Sequence, residues 1–388
     1  MPHAFNSQEI EDLLAKNNGQ YLVFENDQPK FVVLDPVRYP HFVNFDKNRP
    51  NVLVTGGAGY IGSHVVLELL AANLNPIIID NLSNCAVPNL GCPFIVGDLE
   101  KTEVLDKVFE QYNIQAVVHL AGSIIVEESV LLPEKYFHNN VVAGINLLNT
   151  MLRHGVNKLI YSSSAAVYGS PRYVPIDENH ATEPLNPYGE TKLIFEKIVN
   201  WYVKAHDLNA VMFRYFNAAG ADPHGRAGEK HFIETHLIPR VFQVANKELD
   251  SVKIFGHDYP TADGTAIRDY VHVADIAKAH ALAIAKLEED TGSFTYNIGT
   301  GKGYSVQEIV DKVVEVTERM VPIEQHERRA GDPPILVADS KKAQKELGLE
   351  LKHSDLDTII RTAWNWHKQA FAKPAVPVEE KAEETAST

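Results

Sequence analysis

Cysteine is scarce: only Cys85 and Cys92 occur in 388 residues. So few thiols exclude a disulfide-built scaffold, and two free thiols in a cytoplasmic protein are a simpler reading than a bridge. No run of about 18 apolar residues appears, so no membrane span or membrane partner is expected. Met1 to Lys16 has acidic residues and no long apolar core, which does not read as a secretory signal. Positive charge is also short, with 36 Lys and Arg against 51 Asp and Glu, a net charge of −15. A surface this acidic repels phosphate backbones and argues against a nucleic-acid partner. It does not forbid a nucleotide ligand, which a few placed arginines and backbone amides can hold. The remaining composition, 45% hydrophobic and 22% charged, is that of a globular chain with a large core.

Three segments differ in character. Residues 1 to 48 precede the first strong strand and read as a short helix, Ser7 to Lys16, followed by a hairpin. The β-rich runs Tyr21-Leu-Val-Phe24 and Phe31-Val-Val-Leu34 form the hairpin, with a polar turn between them. From residue 49 to 372, short apolar strands alternate with helices. The strands begin at Asn51-Val-Leu-Val-Thr55 and continue through Ile77 to Asp80, Phe94 to Val96, Ala116 to Leu120 and Lys158 to Ser162. Ala210-Val-Met-Phe-Arg214 closes the set. Helices are expected over Tyr60 to Ala72, Glu103 to Tyr112, Pro133 to His154 and Tyr188 to His206. This alternation predicts an α/β fold with a Rossmann-type, doubly wound parallel sheet. Its nucleotide-binding part lies mainly in 49–220 and a smaller C-terminal substrate domain mainly in 221–372. The tail, Lys373 to Thr388, is rich in Pro, Ala, Glu and Thr without aromatics and is expected to be disordered.

The first strand runs into Thr55-Gly-Gly-Ala-Gly-Tyr-Ile-Gly62. Gly56 permits the tight turn, Gly59 lets backbone amides approach a pyrophosphate, and Gly62 lets the helix pack close to the sheet. The helix start favours negative charge. The next strand ends in Asp80, whose carboxylate can accept bonds from an adenosine ribose and so favours NAD over its 2′-phosphorylated form. A glycine triplet alone is a weak signal. Strand, triplet, helix, strand and acid in this order make a strong one.

A second constellation follows. Ser162-Ser-Ser164 ends a strand, and Tyr188-Gly-Glu-Thr-Lys192 places a phenol and an ammonium on one helical face. A neighbouring ammonium, with a positive nicotinamide ring nearby, lowers a phenol's pKa from its usual value near 10, which would make Tyr188 a base near neutral pH. Ser164 can share the bond to the same substrate oxygen. Taken alone, Tyr-x-x-x-Lys is more often a half-buried Tyr beside a solvated Lys. Downstream of a dinucleotide turn, the catalytic reading prevails.

On these residues the chain resembles the extended short-chain dehydrogenase/reductases, and within them the UDP-glucose 4-epimerase family. Further matches are Gly59-Tyr-Ile-Gly-Ser63, Asp80-Asn-Leu, Gly97-Asp98, His119-Leu-Ala-Gly122 and Asn139-Asn-Val. Arg214-Tyr-Phe-Asn-Ala-Ala-Gly220, Arg268-Asp-Tyr-Val-His-Val273 and Arg329-Ala-Gly-Asp332 complete the series, which covers about residues 50 to 370. The resemblance implies NAD as cofactor. Asp98 and Leu99 would flank its adenine, and Leu120, Ala121 and Gly122 would run beside it. Asn139, Tyr215, Ser164, Tyr188 and Lys192 would surround the nicotinamide. Tyr60, Ile61, Asn81, Asn84 and Ser162 complete the implied cofactor set. Asn217, Arg268 and Arg329 would face the UDP diphosphate, with Asp332 on its ribose, and Leu237, Phe255 and Tyr270 beside them. Leu336 would lie next to the sugar's 2-substituent. Arginine suits diphosphate because its planar fork makes paired charged bonds.

The chain departs from the family pattern at Ile124, where members often carry a lysine, and at Thr235-His236, which replaces Asn-Asn. His224, His231 and His236 with Glu229 and Glu234 fit no standard zinc spacing, so no metal is expected and the segment reads as a loop over the substrate. Related dehydratases carry an Asp-Glu pair after the catalytic serine; here stand Ala165-Ala166, which cannot transfer a proton. A non-catalytic relative would have lost Tyr188 or Lys192. The resemblance therefore implies oxidation of a UDP-hexose at carbon 4, rotation of the 4-keto sugar and re-reduction. UDP-glucose and UDP-galactose are the expected substrates, with another UDP-sugar as the alternative. A homodimer through the helices near 133–154 and 188–206 is also implied.

Residues 1 to 48 contribute no catalytic motif, and a lone hairpin is barely stable in water, so it must pack on the body, a second copy or a partner. A chain beginning near Lys47 is expected to keep epimerase activity. Its size in solution separates a dimerisation module from a packing extension. Soluble, folded protein that has lost NAD binding would place the segment inside the cofactor domain instead.

Overall fold

Short runs of β-branched and aliphatic residues that are apolar at every position can only be strands covered on both faces. In the computed structural model Val52, Leu53 and Val54, Ile77 to Ile79, and Val117 and Val118 are all almost fully buried. The structure describes residues 20–25, 28–34, 46, 48–85, 90–329 and 332–371. The expected helix Ser7 to Lys16 and the tail Lys373 to Thr388 lie outside the described residues.

The main sheet has seven strands, all parallel. Their order is Ser293–Ile298, Asn209–Tyr215, Lys158–Ser164, Ile114–His119, Asn51–Thr55, Asn75–Asp80 and Phe94–Val96. One face carries helices Tyr60–Ala71 and Val273–Glu289 over a core including Val54, Val65, Leu69, Ile160, Phe213 and Ile276. The other carries Thr102–Tyr112, Ala143–Arg153 and Pro187–Ala205 over Leu53, Ile77, Phe109, Leu147, Met151 and Phe195. The sheet is thus doubly wound, and its order reverses beside Asn51–Thr55, where ligands bind in open α/β sheets.

The strand set does not close at Arg214. Ser293–Ile298 adds a parallel edge beyond Asn209–Tyr215. Its burial rises along the strand, from exposed Ser293 to buried Tyr296, Asn297 and Ile298, and polar Ser293, Thr295 and Asn297 interrupt any apolar run, which hid it in the sequence. The segment 273–298 therefore returns to the large sheet, although it lies within the range expected for the substrate domain. The expected helix 133–154 is also subdivided. Val126–Leu131 and Pro133–Phe137 lead into a π-turn at His138–Val142, followed by Ala143–Arg153. Pro133 has no N–H to continue the preceding helix. A π-turn within a helix often marks a functional position, and this one carries Asn139 and Asn140.

The C-terminal part builds a smaller sheet from Gly303–Ser305, Ile267–His272 and Ile335–Leu336, with Asn217–Ala219 also paired to Ile267–His272. Val252–Phe255 pairs with Ile323–His326. Helices Leu237–Ala245, Val306–Thr317 and Leu356–Ala370 enclose a core with Val241, Phe242, Ile309, Ile359 and Trp364. The expected hairpin is present as Gln20–Glu25 and Gln28–Leu34, antiparallel. Among the described residues no helix is long and apolar enough to cross a membrane.

Four histidines are sealed into these cores. Burial holds His64 and His280 down at about 4 and His119 and His272 at about 3, against an ordinary 6.5. They are neutral in the fold but take up protons when unfolded below about pH 6.5. The unfolded chain then binds more protons than the folded one, so stability present above pH 6.5 is lost as pH falls towards 4. The four together give a slope of up to about 5 kcal/mol per pH unit. Urea unfolding at about pH 7.5, 6 and 5 checks this, and unchanged stability across the range would contradict it.

Candidate active site

The turn after Asn51–Thr55 is built on missing side chains. Gly56 adopts φ +71°, and a Cβ there would stand 2.6 Å from the Ala121 nitrogen. A Cβ at Gly62 would stand 2.2 Å from the Gly56 oxygen. The turn is closed by Gly59 N–H donating to the Gly56 carbonyl at 3.2 Å and Ser63 N–H to Gly59 at 2.9 Å. Asp80 faces it, accepting from the Ala58 amide at 3.1 Å and the Leu82 amide at 2.9 Å. Burial raises the Asp80 carboxyl, and these two amides work against that rise. Asn81 Nδ2 donates to Asp98 at 3.2 Å.

The serine, tyrosine and lysine singled out from the sequence come from two adjacent elements. Strand Lys158–Ser164 delivers Ser162 and Ser164 at its C-terminal end. Helix Pro187–Ala205 begins with Asn186 capping the Gly189 amide at 2.9 Å and Pro187 in its first turn, which fixes where Tyr188 emerges. Lys192, one turn on, is 3% exposed; its Nζ donates to the Ser162 carbonyl at 2.8 Å and lies 5.9 Å from the Tyr188 ring centre. Burial pulls Lys192 down to about 8, opposed by the nearby Glu196 carboxylate. Tyr188 is half-buried, and desolvation raises its phenol above 10, with a hydrogen bond from Ser164 acting downwards. The lowered phenol expected from the sequence counts a positive nicotinamide ring as well as Lys192; the rise is that of the protein alone, where Ser164 is the group that opposes desolvation.

Further polar groups fasten this constellation. Asn140 is buried; its Oδ1 accepts from Ser123 N–H at 2.7 Å, and its Nδ2 donates to Thr191 Oγ1 at 3.1 Å. Asn139 Nδ2 donates to Ser123 Oγ at 2.8 Å. The Tyr215 hydroxyl lies 2.6 Å from His280 Nε2, while His280 Nδ1 lies 2.9 Å from the Ile276 carbonyl. A neutral His280 therefore donates from Nδ1 and accepts from Tyr215. Glu196 forms a two-pronged pair with Arg214, at 2.9 and 2.6 Å, behind the catalytic strand. Sequence reading passed over Ser123, Asn140, Glu196 and His280; each gains its place from a partner distant in sequence.

The glycine turn, Asp80, Ser123, Asn139, Ser162, Ser164, Tyr188, Lys192 and Tyr215 open on one cleft of about 1350 Å³. Its lining includes every singled-out cofactor residue: Gly56, Gly59, Tyr60, Ile61, Gly62, Asp80, Asn81, Asn84, Asp98, Leu99, Leu120, Ala121, Gly122, Asn139, Ser162, Tyr188, Lys192 and Tyr215. Ser164, Asn217, Leu237, Phe255, Arg268, Tyr270, Arg329 and Asp332 line it as well. Arg268 forms an ion pair with Asp332. Arg329 lies 4.2 Å over the Phe255 ring and reaches Glu127 at 3.3 Å. Ile124, Thr235 and His236 also line the cleft. The Ile335–Leu336 strand pairs with Ile267–Arg268, and half-buried Leu336 packs beside Ala165, Tyr168, Ile176 and Phe216, of which Phe216 lines the cleft.

The fold also gathers Glu229, His231, Glu234 and His236, with one donor atom from each within 4.8 Å of the others. His224, named with them from the sequence, is not in this group.

A family model described as NAD dependent epimerase/dehydratase matches residues 52–299. The UDP-glucose 4-epimerase of Halalkalibacterium halodurans is 49% identical over 319 residues, 82% of this chain and 96% of that protein. The crystal structure of UDP-glucose 4-epimerase from Brucella ovis in complex with NAD superposes with a TM-score of 0.80 at 46% identity, over 82% of this chain and 98% of that one. UDP-glucose 4-epimerase from Bifidobacterium longum in complex with NAD⁺ and UDP gives 0.79 at 39% identity, over 82% and 98%.

The clashes rank two substitutions. A Cβ at Gly62 meets only unyielding backbone, whereas at Gly59 the one close atom is 3.3 Å away. Gly62→Ala is expected to cost about 1–3 kcal/mol as an overpacked site and to lower the dinucleotide retained through purification. Gly59→Ala should do less on both counts. Equal effects, measured by urea unfolding and by nucleotide released on denaturation, would contradict the close-packing role.

Proposed function

The chain belongs to the NAD dependent epimerase/dehydratase family, and from that premise we propose that it interconverts UDP-glucose and UDP-galactose. The observation that carries this reading is the Ser164–Tyr188–Lys192 set on one wall of a cleft whose opposite end is the glycine turn.

The turn fits a dinucleotide: Gly59 lines the cleft at the helix start, with only the Gly56 oxygen, at 3.3 Å, near where its Cβ would stand, so a pyrophosphate can approach the backbone there, and Asp80 stands at the ribose position. NAD held there would supply the hydride acceptor, and then the donor, for the sugar's carbon 4. The protein's own share is proton handling and orientation. Tyr188 takes the proton of the 4-hydroxyl and later returns it, with Ser164 holding the same oxygen. Lys192, fixed by the Ser162 carbonyl, keeps positive charge beside the phenol. Arg268, Arg329 and Asn217 hold the UDP diphosphate, and Asp332 its ribose, while the 4-keto sugar turns over. Ala165 and Ala166 occupy the turn after Ser164, where an elimination would need an acid and a base. The Ala166 amide donates to Ser164 Oγ at 3.2 Å, so this turn orients the serine instead.

The proposal extends to organisation. Residues mainly of 49–220 hold the cofactor, and residues mainly of 221–372 the substrate. The chain acts in the cytoplasm as a homodimer, with no nucleic-acid or membrane partner. In support of the dimer, Val130, Leu131, Phe137 and Val142 are exposed along 126–142, and Trp201 is 67% exposed on the helix Pro187–Ala205.

Tyr188→Phe is expected to reduce turnover of UDP-galactose by about 10²–10⁴, the usual worth of an acid–base group, with fold and NAD content kept. Near-normal turnover in the variant would remove Tyr188 from that role.

A further inference from the structure

Two carboxylates and two imidazoles meet where the segment 229–236 passes over the cleft. The Glu229, His231 and Glu234 side chains are only 10%, 8% and 10% exposed. Burying two carboxylates side by side is costly unless positive charge joins them. Among the described residues no Lys or Arg forms an ion pair with either one; their ion-pair partners are His231 and His236. His231 Nδ1 lies 3.5 Å from Glu229 and 3.3 Å from Glu234, and His236 Nδ1 contacts Glu229 directly. Donors of a tetrahedral zinc ion stand about 3.3–3.5 Å apart, given metal–ligand distances near 2.0–2.1 Å. The His231 separations already match that edge, and the His236–Glu229 contact would open to admit an ion.

A separate observation lies on the same small cavity of about 160 Å³, lined by Glu229, His231, Glu234 and His367. His367 is 4% exposed, and its Nε2 has no hydrogen-bond partner; its nearest acid, Glu248, is 3.7 Å away. This imidazole nitrogen shares the cavity wall with Glu229, His231 and Glu234 but stands outside the group whose donor atoms lie within 4.8 Å of one another.

The geometry points to a divalent transition-metal site of zinc type, held by Glu229, His231, Glu234 and His236. Two imidazole nitrogens and two carboxylate oxygens suit zinc better than magnesium or calcium, which take oxygen ligands. All four come from eight consecutive residues, so the ion would clamp the segment. His236 and the neighbouring Thr235 line the cleft, so the clamp would fix one of its walls. The inference rests on the cluster and not on the reaction proposed for the cleft.

The test uses untagged full-length protein, stripped with a chelator and equilibrated with Zn²⁺, and separately with Co²⁺ as a spectroscopic probe. Expected are one bound zinc per chain, a visible Co²⁺ spectrum of tetrahedral intensity, and a melting temperature that rises with metal concentration. His231→Gln should weaken zinc binding by at least about tenfold, the lower end of what losing even an outer partner of a metal ligand does. His224→Gln, outside the cluster, should bind like the parent. Circular dichroism and thermal unfolding of the metal-free His231→Gln protein establish that it is folded. Several weak equivalents unaffected by His231→Gln, or a Co²⁺ spectrum unchanged from the hydrated ion, would overturn the proposal.

Discussion

The close approach of Gly62 to the Gly56 carbonyl sets the position of everything else in the cleft. With a hydrogen in place of Cβ, the helix Tyr60–Ala71 starts directly at the end of the first sheet strand, at the point where the strand order reverses. Asp80, from the next strand, ties itself to the turn through the Ala58 amide. On the other side Gly56 lies against Ala121, and the strand Ile114–His119 continues to Gly122. A Cβ at Gly122 would stand 2.9 Å from Asn140 and 3.7 Å from the Lys192 ammonium. A line of small residues thus runs from the phosphate turn to the lysine, and packing at one end fixes distance at the other.

At the far end of that line, burial acts on two groups in opposite senses. It lowers the Lys192 ammonium towards about 8 and raises the Tyr188 phenol. Both shifts disfavour the charged forms, as expected where water is excluded. The protein alone therefore keeps the phenol protonated. Positive charge brought beside Tyr188 would favour the phenolate, so ionisation of this phenol depends on what charge the cleft holds. The neutral His280, receiving the Tyr215 hydroxyl, keeps a further charge out of the same region.

Much of this was legible because it depends on local spacing. The glycine triplet, Asp80 and the Tyr188–Lys192 pair are short-range patterns tied to strand and helix periods, and those periods hold in the fold. What was not legible depends on partners far apart in the chain. Asn140 reaches Thr191, and Glu196 reaches Arg214; neither residue carries a local signature. The strand Ser293–Ile298 lacks the uniform apolar run of the strands beside it. The packing of half-buried Leu336 beside Ala165, Tyr168, Ile176 and Phe216 comes from strand pairing and not from local spacing. The Glu229–His236 cluster fits no standard ligand spacing, and only the path of the loop brings its four side chains together.

The central claim is that oxidation and reduction at carbon 4 both occur within one binding event. UDP-galactose carrying deuterium at carbon 4 tests it directly, with the purified protein in ordinary water and no added nucleotide. The account predicts UDP-glucose that keeps the deuterium at carbon 4, because the same hydride leaves and returns. Product with hydrogen from solvent at that carbon, or conversion only when an external hydride acceptor is supplied, would contradict it.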